Sequence, residues 1–171
     1  VPSPAELEAL LDQSFFLPVA NKPAHRQLKA AAQRLITTYA TEHEADLHRV
    51  WETERPFELH LDGITVTGRA DVILDQEGGV PTALAIVDYK TSTDPSADHA
   101  LQIQVYTDAG LREGLDMRGA YVHDLKAGDR SEVDITAGGI ADAETRILDA
   151  AARLRARDYT PAPSGKKCRR C

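Results

Sequence analysis

The chain has 171 residues, 42% hydrophobic and 27% charged, the composition of one ordinary globular domain large enough to bury a core. Its formal charge of −7 and pI of about 5.3 exclude a domain that grips nucleic acid by bulk positive charge, though a local basic groove stays open. No apolar run approaches the length of a bilayer span and no signal-peptide pattern opens the chain, so a cytoplasmic protein without membrane attachment is expected.

From the N-terminus, "SPAE" at Ser3 to Glu6 is a capping box with Pro4 at the first helical position, predicting a short helix to about Asp12. After a loop with Pro18 and Pro23, the apolar positions Leu28, Ala31, Ala32, Leu35, Ile36 and Tyr39 recur at helical spacing and predict an amphipathic helix to about His43. Near Val50 the period changes to two. Trp51, Phe57, Leu59 and Leu61 share one strand face, and "DG" at 62 and 63 turns the chain into "ITVTGRADVILD". In that second strand, strict alternation sends Ile64, Val66, Ala70, Val72 and Leu74 one way and Thr65, Thr67, Arg69 and Asp71 the other. The turn "QEGGVP" leads to a third strand, "LAIVDYK", and these three strands form an antiparallel meander.

Beyond the polar "STDPSAD", a helix from Asp98 to about Glu113 carries Leu101, Val105 and Ala109 on one side, with Gln102 and Tyr106 one turn apart. "GAYVHDL" and "RSEVDI" predict a fourth and a fifth strand, and Thr136 caps a last helix with Ile140, Ile147, Ala151 and Leu154 inward. The predicted class is therefore α/β of the α+β type, a single domain over 1–171 with a mixed sheet of about five strands flanked by helices.

The third strand poses the functional question, because its buried run Leu84 to Val87 ends in Asp88 and Lys90. Charged groups are rarely placed there without a partner or a role. Residues i and i+2 of a strand share a side, so Asp88 and Lys90 project together, and a paired strand can bring Asp71 beside them. Two close carboxylates repel unless they share a proton or a cation lies between them. Hard oxygen ligands favour Mg²⁺ or Mn²⁺, and a nearby ammonium could orient or help deprotonate the attacking water, which together suit phosphodiester hydrolysis. Taken singly, the simpler reading is an ion pair at the sheet end with Asp71 an unrelated surface carboxylate. Glu54, ahead of "RPFEL", is a weaker candidate for the same site, and Trp51 and Tyr39 read as core. Near the end, Cys168 and Cys171 form a C-x-x-C, either half of a metal site or two inert thiols.

"GRADVIL", "IVDYKTS" and "QIQVY", in that order, closely resemble the PD-(D/E)XK nuclease superfamily, in particular its RecB-like branch at the C-terminus of UvrD/Rep-type helicases and in Cas4-like exonucleases. The resemblance covers about residues 50 to 171 and implies a restriction-endonuclease-like core. It implies that Asp71, after Gly68, and Asp88 bind Mg²⁺ or Mn²⁺, with the Tyr89 backbone carbonyl as a further ligand and Lys90 as the catalytic lysine. Gln102 and Tyr106 would support the lysine or the DNA, and Arg69 would neutralise Asp71 or contact phosphate. The same likeness implies that Cys168 and Cys171 are the middle two ligands of a 4Fe-4S cluster.

The branch's G-x-x-x-H element belongs on the first helix and has no match there; the one such spacing in the chain, Gly119 to His123, falls on the predicted fourth strand. The chain, running from Val1 to Cys171, therefore reads as a fragment of a longer helicase-nuclease, lacking that element and part of the cysteine set. Expected partners are DNA and helicase motor domains. The expected function is metal-dependent, exonuclease-like DNA cleavage in end processing, recombination or repair, with weak metal binding and poor cutting by this piece alone. The alternative is a catalytically silent DNA-binding, architectural or interaction module of the same fold.

Overall fold

A computed structural model describes residues 2–77, 83–91 and 97–161. Helix α1 (Pro4–Ser14) starts on the expected capping box: Ser3 Oγ accepts from the Glu6 amide, and the Glu6 carboxylate accepts from the Ser3 amide at 2.7 Å. Helix α2 (Lys22–Glu42) is capped by Asn21 and packs on α1. A single turn, α3 (Glu44–Leu47), follows; four residues are too few to show a period in sequence. Leu28 and Ile36, expected inward, are 50% and 40% exposed. Helix α2 packs against α1 and α3, and Tyr39 near its C-terminal end touches Tyr89 of the sheet.

Strands β1 (Val50–Leu61) and β2 (Ile64–Asp75) form the expected hairpin, with Asp62 and Gly63 both at positive φ in the turn. Strand β3 (Leu84–Lys90) pairs antiparallel with β2, completing the meander. Helix α4 (Ala97–Arg112) then crosses over, so that β4 (Met117–Asp124) lies parallel to β3, and β5 (Asp129–Glu132) adds an antiparallel edge. The sheet order is β1-β2-β3-β4-β5, the mixed five-stranded sheet that was expected. Helix α5 (Ala137–Arg155), capped by Thr136, packs on α4. Its Leu154, expected inward, is 62% exposed near the helix end.

The sheet is covered unequally. Phe57, Leu59, Ile73, Leu84 and Ile86 form the main core with Ile103, Tyr106 and Ala109 of α4. Val72, Leu74 and Val87 form a second, smaller cluster with Tyr89 and Tyr121. Among the described residues, no helix is long and apolar enough to cross a membrane. The turn and loop expected at 76–81 and 92–98 lie largely outside the described residues, as do Cys168 and Cys171.

These two clusters expose a departure from strict alternation in β2. Ala70 and Ile73 belong to the α4 side, whereas Val72 and Leu74 belong to the other. The phase of the pleat resets between Ala70 and Val72. Across the hairpin the ladder runs Arg55↔Ala70 and then Thr53↔Val72, and the intervening Glu54 adopts φ +52. A left-handed residue breaks the regular pleat, while the β1–β2 register runs unbroken past Glu54 and shifts between Val50 and Glu52. In this register Asp71 lies opposite Glu54.

Candidate active site

Because β3 keeps its alternation, Leu84, Ile86, Asp88 and Lys90 face α4 while Val87 and Tyr89 face away. The β2–β3 register runs Ile73↔Ile86 and Val72↔Val87, so one further step sets Asp71 against Asp88. Ladder pairing stops there. The Tyr89 amide donates instead to the Asp71 carboxylate, N to Oδ2 at 2.8 Å. Had the alternation of β2 continued past Ala70, Asp71 would share a side with Thr65 and Thr67, away from α4. The reset brings it to the side of Asp88.

Asp88 is 1% exposed, and the Lys90 ammonium stands 2.5 Å from its Oδ2. Burial is the main cause pushing the Asp88 carboxyl above its ordinary range; the Lys90 hydrogen bond and charge oppose this, and the negative charge of Asp71 adds to it. Its Oδ1 accepts no hydrogen bond among the described residues, and Oδ2 has the Lys90 ion pair without regular hydrogen-bond geometry. A buried carboxylate with one orphaned oxygen and a second carboxylate beside it is a donor set that suits a hard divalent cation. Asp71 and Asp88 would hold it. Three or more side-chain ligands in metal-holding geometry are not found among the described residues.

Gln102 and Tyr106 meet as their spacing implies, with Gln102 Nε2 donating to the Tyr106 hydroxyl at 2.9 Å. The Tyr106 ring stacks on Phe57, centroids 6.0 Å apart, and lies over Gly68, the cross-strand partner of Phe57. A Cβ on Gly68 would stand 2.3 Å from Tyr106 Cε1. Gly68 is therefore the residue that admits the ring, which links the glycine of "GRAD" to the tyrosine of "QIQVY" by contact. Arg69 is exposed and pairs with Glu54 at 3.8 Å.

Two features were not singled out in the sequence. His99, half-buried in the first turn of α4, acts electrostatically on Asp88. Its signal was present, since 99, 102 and 106 follow the i, i+3, i+7 pattern of one helix face. The second is a polar cluster behind β3. Tyr39, read as core, is half-buried, and its hydroxyl lies 2.5 Å from that of Tyr89 and 3.2 Å from Asp46 Oδ2. Arg130 donates to the same Asp46 oxygen at 2.5 Å. His43 and His123 pack edge to face beside them, centroids 4.6 Å apart.

His123 is 1% exposed, and burial, with His43 and Arg130 adding to it, lowers its pKa from 6.5 to about 4. The unfolded chain then takes up this proton first on acidification. His123 should therefore contribute stability that is intact above pH 6.5 and is lost progressively down to about pH 4. Stability measured by urea unfolding across that window should change by at most about 1.4 kcal/mol per pH unit from this group. His123→Gln should flatten the profile; an unchanged slope would show that the imidazole does not carry it.

Two carboxylates and a lysine on neighbouring strands of a mixed α/β sheet are an arrangement that would suit a nuclease-type centre. The chain belongs to the PD-(D/E)XK nuclease superfamily, whose family model matches residues 2–171. Members of this family are generally dependent on divalent metals. The chain is 30% identical over 123 residues to the Gene 69 protein of Mycobacterium phage L5, covering 69% of this chain and 41% of that protein. The fold is shared with a crystal structure from Eubacterium rectale named "Putative exonuclease", with a TM-score of 0.54 at 15% identity, covering 94% of this chain and 66% of that one. The chain thus spans less than half of the phage relative and about two thirds of the solved structure.

Proposed function

We propose that the protein is a DNA nuclease that hydrolyses phosphodiester bonds with Mg²⁺ or Mn²⁺, acting in the cytoplasm on DNA ends as an exonuclease-like domain of a RecB-like helicase-nuclease. The observation that carries this reading is the convergence of Asp71, Asp88 and Lys90 where the β2–β3 ladder opens, with an orphaned oxygen on a buried Asp88. The family membership makes hydrolysis the natural use of that arrangement. The helicase association, and a 4Fe-4S cluster through Cys168 and Cys171, rest on motif likeness alone.

In this reading Asp71 and Asp88 hold the cation, with the Tyr89 carbonyl as an additional oxygen. When bound, the cation polarises the phosphodiester and offsets its negative charge. Lys90 orients the attacking water, and its contact with Asp88 fixes the ammonium beside the cleaved bond. Gln102 and Tyr106 form the α4 wall and keep Lys90 and the DNA strand in place, with Arg69 on the outer rim as a phosphate contact.

The test is degradation of linear single- and double-stranded DNA with Mg²⁺, Mn²⁺ or a chelator. Cleavage should require the metal and vanish in both Asp71→Asn and Asp88→Asn. An Asp88→Asn protein as active as the unaltered one would remove the site from the reaction. DNA binding without cleavage, under every metal, would assign the fold to a silent binding module.

A further inference from the structure

The C-terminal end of β3 carries the reacting side chains yet is held unevenly. On its β4 edge the ladder continues through Asp88↔Val122, Tyr89↔His123 and Lys90↔Asp124. On its β2 edge it ends at Val72↔Val87, and the next link is the bond from the Tyr89 amide to Asp71. That bond joins the two carboxylate-bearing strands across the point where the ladder opens. Whatever fixes Tyr89 also fixes the spacing of Asp71 from Asp88.

Tyr89 is fixed from behind. Each phenol has one proton to donate, and an ionised Asp46 can only accept. The chain of bonds therefore has one direction: the Tyr89 hydroxyl donates to Tyr39 at 2.5 Å, Tyr39 donates to Asp46 at 3.2 Å, and Arg130 holds Asp46 from the far side. Tyr39 lies on α2, Asp46 on α3 and Arg130 on β5, so three separate elements converge on one side chain of β3. The edge-to-face contact of the two tyrosine rings, centroids 5.2 Å apart, adds a second restraint.

We propose that Tyr39 is a positioning residue for the nuclease reaction: its hydroxyl anchors Tyr89 from the back of the sheet, and so holds the Tyr89 amide that orients Asp71 toward Asp88. It touches neither substrate nor cation. This rests on the nuclease reading of the front face for its consequence in catalysis, but not for its effect on the backbone.

Tyr39→Phe keeps the ring and removes only the hydroxyl. Amide hydrogen exchange should then quicken at Tyr89 by about tenfold, the worth of one net hydrogen bond, while Ile86 and Val87 exchange as before. Mn²⁺ affinity, measured with the metal alone, should fall, and kcat for DNA cleavage should drop about tenfold with KM within twofold. Tyr89→Phe should reproduce these losses, and the double variant should add nothing to them. Unchanged exchange at Tyr89, or equal acceleration along all of β3, would overturn the proposal, the second by showing general loosening. Should the unaltered protein leave DNA intact, the nuclease reading fails, and the exchange pattern still decides whether Tyr39 anchors Tyr89.

Discussion

Replacing Lys90 with alanine is expected to lower the rate of DNA hydrolysis by roughly a hundredfold or more, the scale of a group that acts on the proton or orientation of the attacking water. The loss should fall on kcat, because Lys90 reaches inward to Asp88 at 2.5 Å rather than outward to a distant phosphate. Single-turnover cleavage of an end-labelled duplex measures this directly. Removing the ammonium also leaves the buried Asp88 carboxylate without its cation, so thermal stability without metal should fall, and added Mn²⁺ should restore part of it. A Lys90→Ala protein within a few-fold of full activity would make the lysine a structural counter-ion, the simpler reading of the motif.

Gly68→Ala is expected to damage the site from the other side of the cleft. The new methyl would meet the Tyr106 ring at 2.3 Å, and the ring is boxed by Phe57 behind it and by the Gln102 bond to its hydroxyl. Overpacking of this kind costs about 1–3 kcal/mol. Because the cost arises from one pair of side chains, removing the ring should relieve it: Gly68→Ala with Tyr106→Ala should be less destabilised than the sum of the two single changes. Urea denaturation of the four proteins gives the coupling. Additive losses would mean that the glycine serves the strand backbone and not the tyrosine. Activity should fall in Gly68→Ala, since a displaced Tyr106 releases Gln102 from the cleft wall.

Most of the architecture is legible in the sequence, because it depends on local pattern. The capping box at Ser3, the Asp62–Gly63 turn, the Thr136 cap and the helical step from Gln102 to Tyr106 each rest on residues within a few positions of one another. The motif spacing was equally local, so Asp88 and Lys90 were placed on one side of β3 by parity alone.

Other parts depended on what each element packs against. The outward turn of Leu28, Ile36 and Leu154 is invisible to a periodic pattern, which marks an apolar face but not whether another element covers it. The pairing of Tyr39 with Tyr89 spans fifty positions of sequence, and no local signal separates such a tyrosine from a core aromatic. Most consequential is Asp71. By sequence it was a metal-site candidate, yet the alternation of β2 directed it away from the main core. In the assembled sheet the pleat of β2 changes phase between Ala70 and Val72, opposite Glu54 at positive φ, and the β2–β3 register then sets Asp71 against Asp88. The sequence by itself determined which groups and which elements the protein has, because caps, turns and periods are short-range. The tertiary structure alone decided that the two carboxylates meet, because the phase of a strand across a kink is set by its neighbour and not by its own residues.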